Sequence, residues 1–318
     1  MRVISVIYRE YMRSQNRLMS EVSLFSHRLC LAPMIDWTDK HFRYFIRLLN
    51  PNAVLYTEMM TTHAMIHGDR DYLLVFNAEE HPVALQLGGS DPAMLAECAR
   101  IGVSYGYDEI NLNVGCPSER VQSGSFGACL LREPKLVADC VAAMVQAVSV
   151  PITIKLRIGV DDQDEYEVLP NVVDQVSRAG CSTFIVHARK AWLKGLSPKQ
   201  NRDIPPLNYA IVYQLKQDRP DLEIIINGGI RTSTDVQQHW LKVDGVMLGR
   251  AACDHPFIFA ELSGAGISRE EVVRQYIPYM QRQMAEGVRI STLTRPLMGL
   301  FNGCPGARSW RRYLAMRL

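Results

Sequence analysis

The chain has 318 residues, of which 47% are hydrophobic and 21% charged, a composition typical of a soluble globular protein with a large core. The formal net charge is only +2, so any nucleic-acid surface must be a local patch. No stretch of about 18 apolar residues predicts a membrane span, and no C-x-x-C pair supports a metal site. Eight cysteines, several in apolar stretches, favour buried thiols and a reducing cytoplasm.

In chain order, residues 1–25 come first and lack the continuous apolar segment of a signal peptide, so we interpret them as an N-terminal extension. From residue 26 to 265, short β-rich runs alternate with segments whose apolar residues recur at helical spacing. The predicted strands are 29–34, 53–59, 83–89, 109–114, 152–158, 183–188, 223–228 and 245–249, and the clearest helices between them are 39–49, 92–103, 134–147 and 208–217.

Eight strand–helix alternations with nearly continuous apolar strands predict a parallel sheet closed into a (β/α)8 barrel, an α/β fold. An open doubly wound sheet is the alternative, but the G-x-G-x-x-G turn that it needs is missing. Residues 266–318 lose this rhythm and predict a small all-helical C-terminal domain. Its clearest helix, 269–286, has a stripe of Val273, Tyr276, Met280 and Met284 that we expect to pack against the protein.

Polar residues occur at the carboxyl end of nearly every predicted strand, where barrels of this kind form their active sites. One polar residue in an apolar strand is compatible with a purely structural role, but a set on nearly every strand favours a shared ligand. The residues at these ends are Pro33, Met34, Glu58, Gln86, Asn111, Asn113, Lys155, Arg157, His187, Asn227, Gly249 and Arg250.

Glycines follow the last two predicted strands, in INGGI (226–230) and LGRA (248–251). The loops after the seventh and eighth strands often bind phosphate in this fold. Glycine lets backbone N–H groups approach a phosphate, and Arg250 adds positive charge. These segments predict a phosphorylated ligand without specifying which one.

Three strand-end side chains suit the ring of such a ligand. Lys155 could stabilise negative charge on the pyrimidine end of a reduced flavin, or alternatively form a Schiff base. Gln86 could pair with the amide-like edge of the same ring. His187 ends its strand close to Lys155 and Arg157, which favours ligand contact over a structural role.

One cysteine lies on a glycine-rich loop instead of in an apolar segment. Cys116 follows the fourth predicted strand, in LNVGCPSERVQSGSFGACL (112–130). Such a loop can close over a ligand. Cys116 is therefore a candidate acid or nucleophile.

The segments APMIDWTD (32–39), LQLGG (85–89), LNVGCPS (112–118), TIKLRIG (153–159), VHAR (186–189), INGGI and GR together resemble the tRNA-dihydrouridine synthases. The resemblance covers roughly residues 28–312. Within this family the resemblance is strongest to the A subfamily, which acts at positions 20 and 20a of the tRNA D-loop, and residues 187–207 carry much of it. The chain ends at YLAMRL (313–318), where further helical sequence is expected, so we predict a shortened C-terminal domain with a larger effect on tRNA affinity than on flavin binding.

This resemblance implies an FMN-binding barrel, NADPH as the reductant, and a helical domain that binds tRNA. It implies that a hydride passes from reduced FMN to C6 of uridine, that Cys116 protonates C5, and that Asn113 and Arg157 meet the uracil. No metal or membrane is involved, and the protein is expected to be a monomer. The implied FMN contacts are Pro33, Met34, Gln86, Lys155, His187, Asn227, Gly228, Gly229, Gly249 and Arg250.

Folded RNA needs a basic surface, and two stretches, 189–202 and 287–318, carry many cations and no acid. Trp310 and Tyr313 are interspersed in the second stretch. The residues that we predict to contact tRNA are Lys190, Lys199, Arg202, Arg308 and Arg311.

Three alternatives stay open from the sequence. A flavin-dependent dehydrogenase of a free pyrimidine, similar to dihydroorotate or dihydropyrimidine dehydrogenases, would share the phosphate motifs and the cysteine but leave the basic C-terminal region without a role. A non-catalytic RNA-binding barrel would bind no flavin. A phosphosugar isomerase or aldolase would need an acid–base carboxylate pair, and none is evident.

Overall fold

The computed structural model describes residues 25–316, so the predicted extension at residues 1–25 lies outside the described residues apart from Phe25. Eight parallel strands form a closed barrel, because β1 pairs with both β2 and β8 and every other strand pairs with its neighbours in chain order. This confirms the predicted (β/α)8 fold and excludes the open sheet. The strands are β1 Leu29–Leu31, β2 Val54–Tyr56, β3 Val83–Gly88, β4 Glu109–Val114, β5 Ile152–Arg157, β6 Thr183–His187, β7 Glu223–Asn227 and β8 Gly245–Leu248.

All eight predicted strands are present, but the first two are shorter than predicted. After Leu31 and after Tyr56 the chain leaves the barrel sheet, and a further two-residue strand, Met60–Thr61, pairs with the end of β3. The helices are α1 Lys40–Leu49, α2 Thr62–His67, α3 Arg70–Leu74, α4 Pro92–Ser104, α5 Glu119–Ser123, α6 Pro134–Ala147, α7 Glu165–Arg178, α8 Tyr209–Asp218, α9 Ser233–Trp240, α10 Arg250–Asp254, α11 Ile258–Ser263, α12 Arg269–Ala285, α13 Ile290–Thr294 and α14 Ala307–Met316, with 3-10 turns at Ala78–Glu80, Gly127–Arg132, Gln200–Arg202 and Arg295–Gly299.

Strand register brings the polar residues of neighbouring strands side by side. Asn113 of β4 lies next to Lys155 of β5. Arg157 lies next to His187 of β6, which in turn lies next to Asn227 of β7. The predicted strand-end residues therefore belong to common layers at one end of the barrel.

The opposite end of the barrel holds a buried charged cluster. The imidazole of His27 bonds to Glu109 Oε2 at 2.6 Å through Nε2 and to Glu223 Oε2 at 2.9 Å through Nδ1. Burial disfavours a charged imidazole, but the two carboxylates outweigh that effect and raise the pKa of His27 to about 10. The cluster therefore consists of an imidazolium between two carboxylates.

Helix α12 packs on α1 through a tyrosine cluster. The rings of Tyr44 and Tyr279 stack with centroids 3.9 Å apart, and Tyr276 packs against Phe45. The stripe predicted for this helix was partly wrong, since Met284 is 46% exposed. The buried face is shifted by about one residue and consists of Val272, Tyr276, Tyr279 and Gln283.

A salt bridge also joins the C-terminal helices to α1. Asp39 caps α1 by accepting hydrogen bonds from the backbone N–H groups of His41 and Phe42. Its other carboxylate oxygen pairs with Arg295 Nη2 at 2.7 Å. The guanidinium of Arg295 also lies over the ring of Trp37. The C-terminal helices therefore hold the start of α1 and the loop before it.

Candidate active site

A ladder of side chains runs up the barrel interior along β4. Glu109, Asn111 and Asn113 alternate along this strand and so face the same side. Gln86 donates to Asn111 Oδ1 at 2.7 Å and accepts from Asn113 Nδ2 at 2.8 Å. Below them, Asn111 donates to Thr153, which donates to Glu109 at 2.5 Å. The ladder connects the charged cluster to the barrel mouth.

The loop after β4, residues 115–127, carries Cys116, and we name it the Cys116 loop. Asn113 Oδ1 accepts hydrogen bonds from the backbone N–H groups of Gly115 at 3.0 Å and Cys116 at 2.9 Å. The carbonyl oxygen of Cys116 accepts from the N–H of Ala128. The thiol is half-buried and lies 3.5 Å from Ser118 Oγ. The top of the ladder therefore fixes the backbone on which the thiol sits.

Arg157 is buried and binds backbone carbonyls of two loops. Its Nε donates to Gly115 O at 3.0 Å, and its Nη1 donates to Lys190 O at 2.9 Å and Asn201 O at 3.0 Å. Lys190 and Asn201 belong to residues 189–202, which we name the basic loop. None of these three bonds uses Nη2. The predicted uracil-binding arginine thus has a second role, in loop attachment.

Lys155 lacks a carboxylate partner among the residues that the structure describes. Burial lowers its pKa to about 7, and nearby Arg157 adds to that effect while Cys116 opposes it. Burial, together with the charges of Arg157 and Lys155, also lowers the pKa of His187 well below its ordinary range. At neutral pH His187 is therefore a neutral imidazole, with one donor and one acceptor nitrogen.

The glycines after β7 form a cradle in which any other residue would be strained. Gly228 and Gly229 have φ values of +112° and +73°. A Cβ on Gly228 would lie 2.5 Å from His187 Cδ2, and one on Gly229 would lie 2.5 Å from Leu207 Cδ1. Gly249, after β8, has its nearest neighbour, Met34 Sδ, 3.5 Å from a built Cβ.

Cations and a rigid turn border this cradle. Arg250 pairs with Asp203 at 2.5 Å, so part of its charge is already compensated. Pro33 and Met34 are half-buried in the loop after β1, where the Met34 N–H donates to Thr38 Oγ1. Asn227 donates to Met247 O and is 7% exposed. The half-buried backbone of Gly229 and Gly249, the amide of Asn227 and the guanidinium of Arg250 fit a phosphorylated ring such as FMN.

The predicted tRNA contacts fall into two groups. Lys190 forms an ion pair with Glu165 at 2.9 Å, so its charge is largely neutralised. Lys199 and Arg202 are exposed on the basic loop. Arg308 and Arg311 are exposed on α14, where Arg311 also donates to Asn302.

Several residues of this site were missed from the sequence. The alternation Glu109, Asn111, Asn113 within β4 was a signal for an inward polar ladder. The role of Thr153, which links Asn111 to Glu109, had no sequence pattern to predict it.

Residues 25–316 contain neither a membrane-spanning helix nor a cluster of potential metal ligands. The helices there are too short or too polar to cross a bilayer. In the same part of the chain, no three His, Cys, Asp or Glu side chains gather as a potential metal site.

Comparison with known proteins adds an independent observation. The model of the family described as dihydrouridine synthase (Dus) matches residues 30–317. The chain belongs to the dihydrouridine synthase family. Among curated relatives, a tRNA-dihydrouridine(20/20a) synthase of Shewanella oneidensis is 56% identical over 90% of this chain and 87% of that protein. Proteins of the same name from Synechocystis sp. and Escherichia coli K12 are also 56% identical, over 90% and 92% of this chain and 88% and 86% of their own.

At the barrel mouth, Cys116 and Lys155 are both placed by the end of β4. Asn113 accepts a hydrogen bond from the backbone N–H of Cys116 and pairs in register with Lys155 on the next strand. A thiol and an uncompensated lysine therefore share one end of the barrel with the glycine cradle.

Proposed function

We propose that this dihydrouridine synthase reduces uridine to 5,6-dihydrouridine at positions 20 and 20a of the tRNA D-loop, with FMN as cofactor and NADPH as reductant. The observation that carries the proposal is the fixed backbone of Cys116, which is held by Asn113, the strand neighbour of Lys155, at the mouth of the barrel. The names of the relatives support the choice of positions. We further propose that the enzyme acts as a monomer in the cytoplasm.

Cys116 acts as the proton donor in this proposal. When bound and reduced by NADPH, FMN would supply the hydride that C6 of the uracil receives. The S–H bond of Cys116 then breaks as a C5–H bond forms, and the resulting thiolate recovers a proton from water. Asn113 Oδ1 holds the backbone of Cys116, and one of the two Nδ2 hydrogens of Asn113 is donated to Gln86. The second Nδ2 hydrogen is therefore available to a uracil carbonyl. Arg157 Nη2 is proposed to meet the same base.

The proposed cofactor contacts use donors and acceptors that the hydrogen bonds within the site leave available. Gln86 keeps one donor and one acceptor after its two bonds, which suits the amide-like edge of the flavin ring. Lys155 suits the pyrimidine end, and neutral His187 suits a polar ring atom. The phosphate and the rest of the flavin are assigned to Pro33, Met34, Asn227, Gly228, Gly229, Gly249 and Arg250.

The RNA contacts are assigned to exposed cations. A uridine stacked in folded RNA must be turned out of the stack to reach the barrel mouth. We assign phosphate contacts to Lys199, Arg202, Arg308 and Arg311, and a weaker one to Lys190 because Glu165 neutralises it. Residues 266–318 would serve as the tRNA-binding domain and residues 26–265 as the catalytic barrel.

The test combines flavin absorbance with product analysis. The purified protein is reduced with NADPH and mixed with an unmodified tRNA transcript or with free uracil. We expect the flavin to be reoxidised by the transcript only, and dihydrouridine to form at positions 20 and 20a. Reoxidation by free uracil would favour the free-pyrimidine dehydrogenase, and a protein that binds no FMN would favour the RNA-binding barrel.

A variant test assigns the proton donor. Cys116→Ala should lower the rate of tRNA reduction by about 10² or more, since general acid catalysis contributes that much. The matched control is Cys304→Ala, a half-buried thiol in the C-terminal region. Wild-type rates in Cys116→Ala would remove the cysteine from the mechanism.

A further inference from the structure

One glutamine on the Cys116 loop also contacts the basic loop. The side-chain nitrogen of Gln122 donates to Pro117 O at 2.8 Å and to Leu193 O at 3.0 Å. An amide nitrogen carries two hydrogens, one for each of these carbonyls. Pro117 directly follows Cys116 in the chain, whereas Leu193 lies on the basic loop. Gln122 is therefore a bridge between the two loops at the position of the thiol.

Arg157 bridges the same two loops on the other side of the thiol. It donates to Gly115 O, which directly precedes Cys116, and to Lys190 O and Asn201 O of the basic loop. Both chain neighbours of Cys116 are thus bonded to side chains that also hold the basic loop. Displacement of the basic loop would move both attachments of Cys116.

The basic loop is internally rigid enough to transmit such a displacement. Asn201 is fully buried, accepts from the N–H of Trp192 at 2.7 Å and donates to Trp192 O at 2.9 Å. Asp161 accepts from the N–H of Leu193 at 2.8 Å. Lys194 and Lys199, which follow Leu193 on this loop, are exposed and available to phosphates.

We propose that Gln122 is a positioning residue that transmits the docking of RNA on the basic loop to the thiol of Cys116. This inference rests on the proposed function and deepens it, because it gives the basic loop a role in catalysis as well as in affinity. Phosphates that bind Lys199 would fix the basic loop, and Gln122 would then fix Pro117 and the adjacent thiol. A displacement of about 1 Å can cost about 10² in rate when a reacting group is misplaced.

The test is a double-mutant cycle on the FMN-loaded enzyme. Gln122→Met removes both donors at similar side-chain length, and Lys199→Ala removes a phosphate contact. Single-turnover reduction of a tRNA transcript gives the rate, and equilibrium binding gives the affinity. Gln214→Met is the matched control, because Gln214 is a glutamine on α8 whose side chain donates to Asp218 of the same helix.

We expect Gln122→Met to lower the single-turnover rate about tenfold or more, with unchanged FMN content and tRNA affinity, whereas Gln214→Met changes neither. Lys199→Ala should lower both rate and affinity in the wild-type background, and should lower the rate by a smaller factor in the Gln122→Met background, where Arg157 is the remaining connection between the two loops. Gln122→Glu, which has the same size and fewer donors, replaces Gln122→Met if that variant is unstable.

Two results would overturn the inference. One is a wild-type rate in Gln122→Met at saturating tRNA, and the other is independent, additive effects of Gln122→Met and Lys199→Ala on the rate. A wild-type protein that forms no dihydrouridine would instead contradict the proposed function, so the two failures are distinguishable.

Discussion

Replacing Gly228 with alanine tests the glycine cradle directly. The residue has a φ of +112°, and a Cβ there would lie 2.5 Å from His187 Cδ2. The backbone strain should cost about 1–2 kcal/mol, and forcing an extra methyl group against a packed side chain about 1–3 kcal/mol. Because His187 must move to relieve the overlap, we expect part of this cost to appear as lost FMN affinity, at least about tenfold.

The control for this variant is Gly106→Ala. Gly106 has a similar φ of +94°, but its nearest heavy atom, Phe76 Cζ, would lie 3.7 Å from the new Cβ. Gly106→Ala should therefore show the backbone strain alone, with a lower melting temperature and normal FMN affinity. Flavin fluorescence titration and thermal unfolding measure the two quantities. If Gly228→Ala binds FMN as tightly as Gly106→Ala does, the cradle is not part of the cofactor site.

Three further predictions concern charged groups. Burial lowers the pKa of Lys155 from 10.5 to about 7, so the free protein loses the positive charge of Lys155 as pH rises through 7. FMN affinity should therefore fall between pH 7 and 9 in the wild type and stay constant over that range in Lys155→Met. Glu109→Gln leaves His27 with one fewer buried carboxylate and should destabilise the protein by about 3 kcal/mol or more in urea unfolding; a change below about 1 kcal/mol would contradict the charged cluster. In salt-dependent tRNA binding, Lys199→Ala should reduce the slope by about 1, whereas Lys190→Ala should change it less, and equal changes would refute this ranking.

The fold could be predicted because most of its strands are largely apolar. Nearly continuous apolar runs such as 183–188 and 245–249 indicate strands buried on both faces, which only a parallel barrel or a covered sheet provides. The ends of the first two strands were less predictable. Residues 32–34 have the composition of a strand, but they lead into a turn in which the Thr38 N–H donates to Met34 O and the Met34 N–H donates to Thr38 Oγ1, and strand composition does not reveal such a turn.

The positions of the candidate site residues could be predicted from the sequence, but their ion-pair partners could not. Strand ends in a barrel meet at one mouth, so the positions of Lys155 and His187 followed from the strand pattern alone. Ion pairs between distant segments did not follow. Lys190 was predicted as an RNA contact because its own segment has no acid, yet its partner Glu165 lies on a different segment, at the start of α7.

The contact between Arg295 and Asp39 has a consequence for protein engineering. Exchanging the C-terminal helices for those of another family member, to alter which tRNA is recognised, would remove the partner of a residue that also caps α1. It would also uncover Tyr44, which stacks on Tyr279. A chimaera joined at residue 266 would therefore also need residues 37–45 from the same donor protein, because these two distant segments contact each other and must be exchanged together.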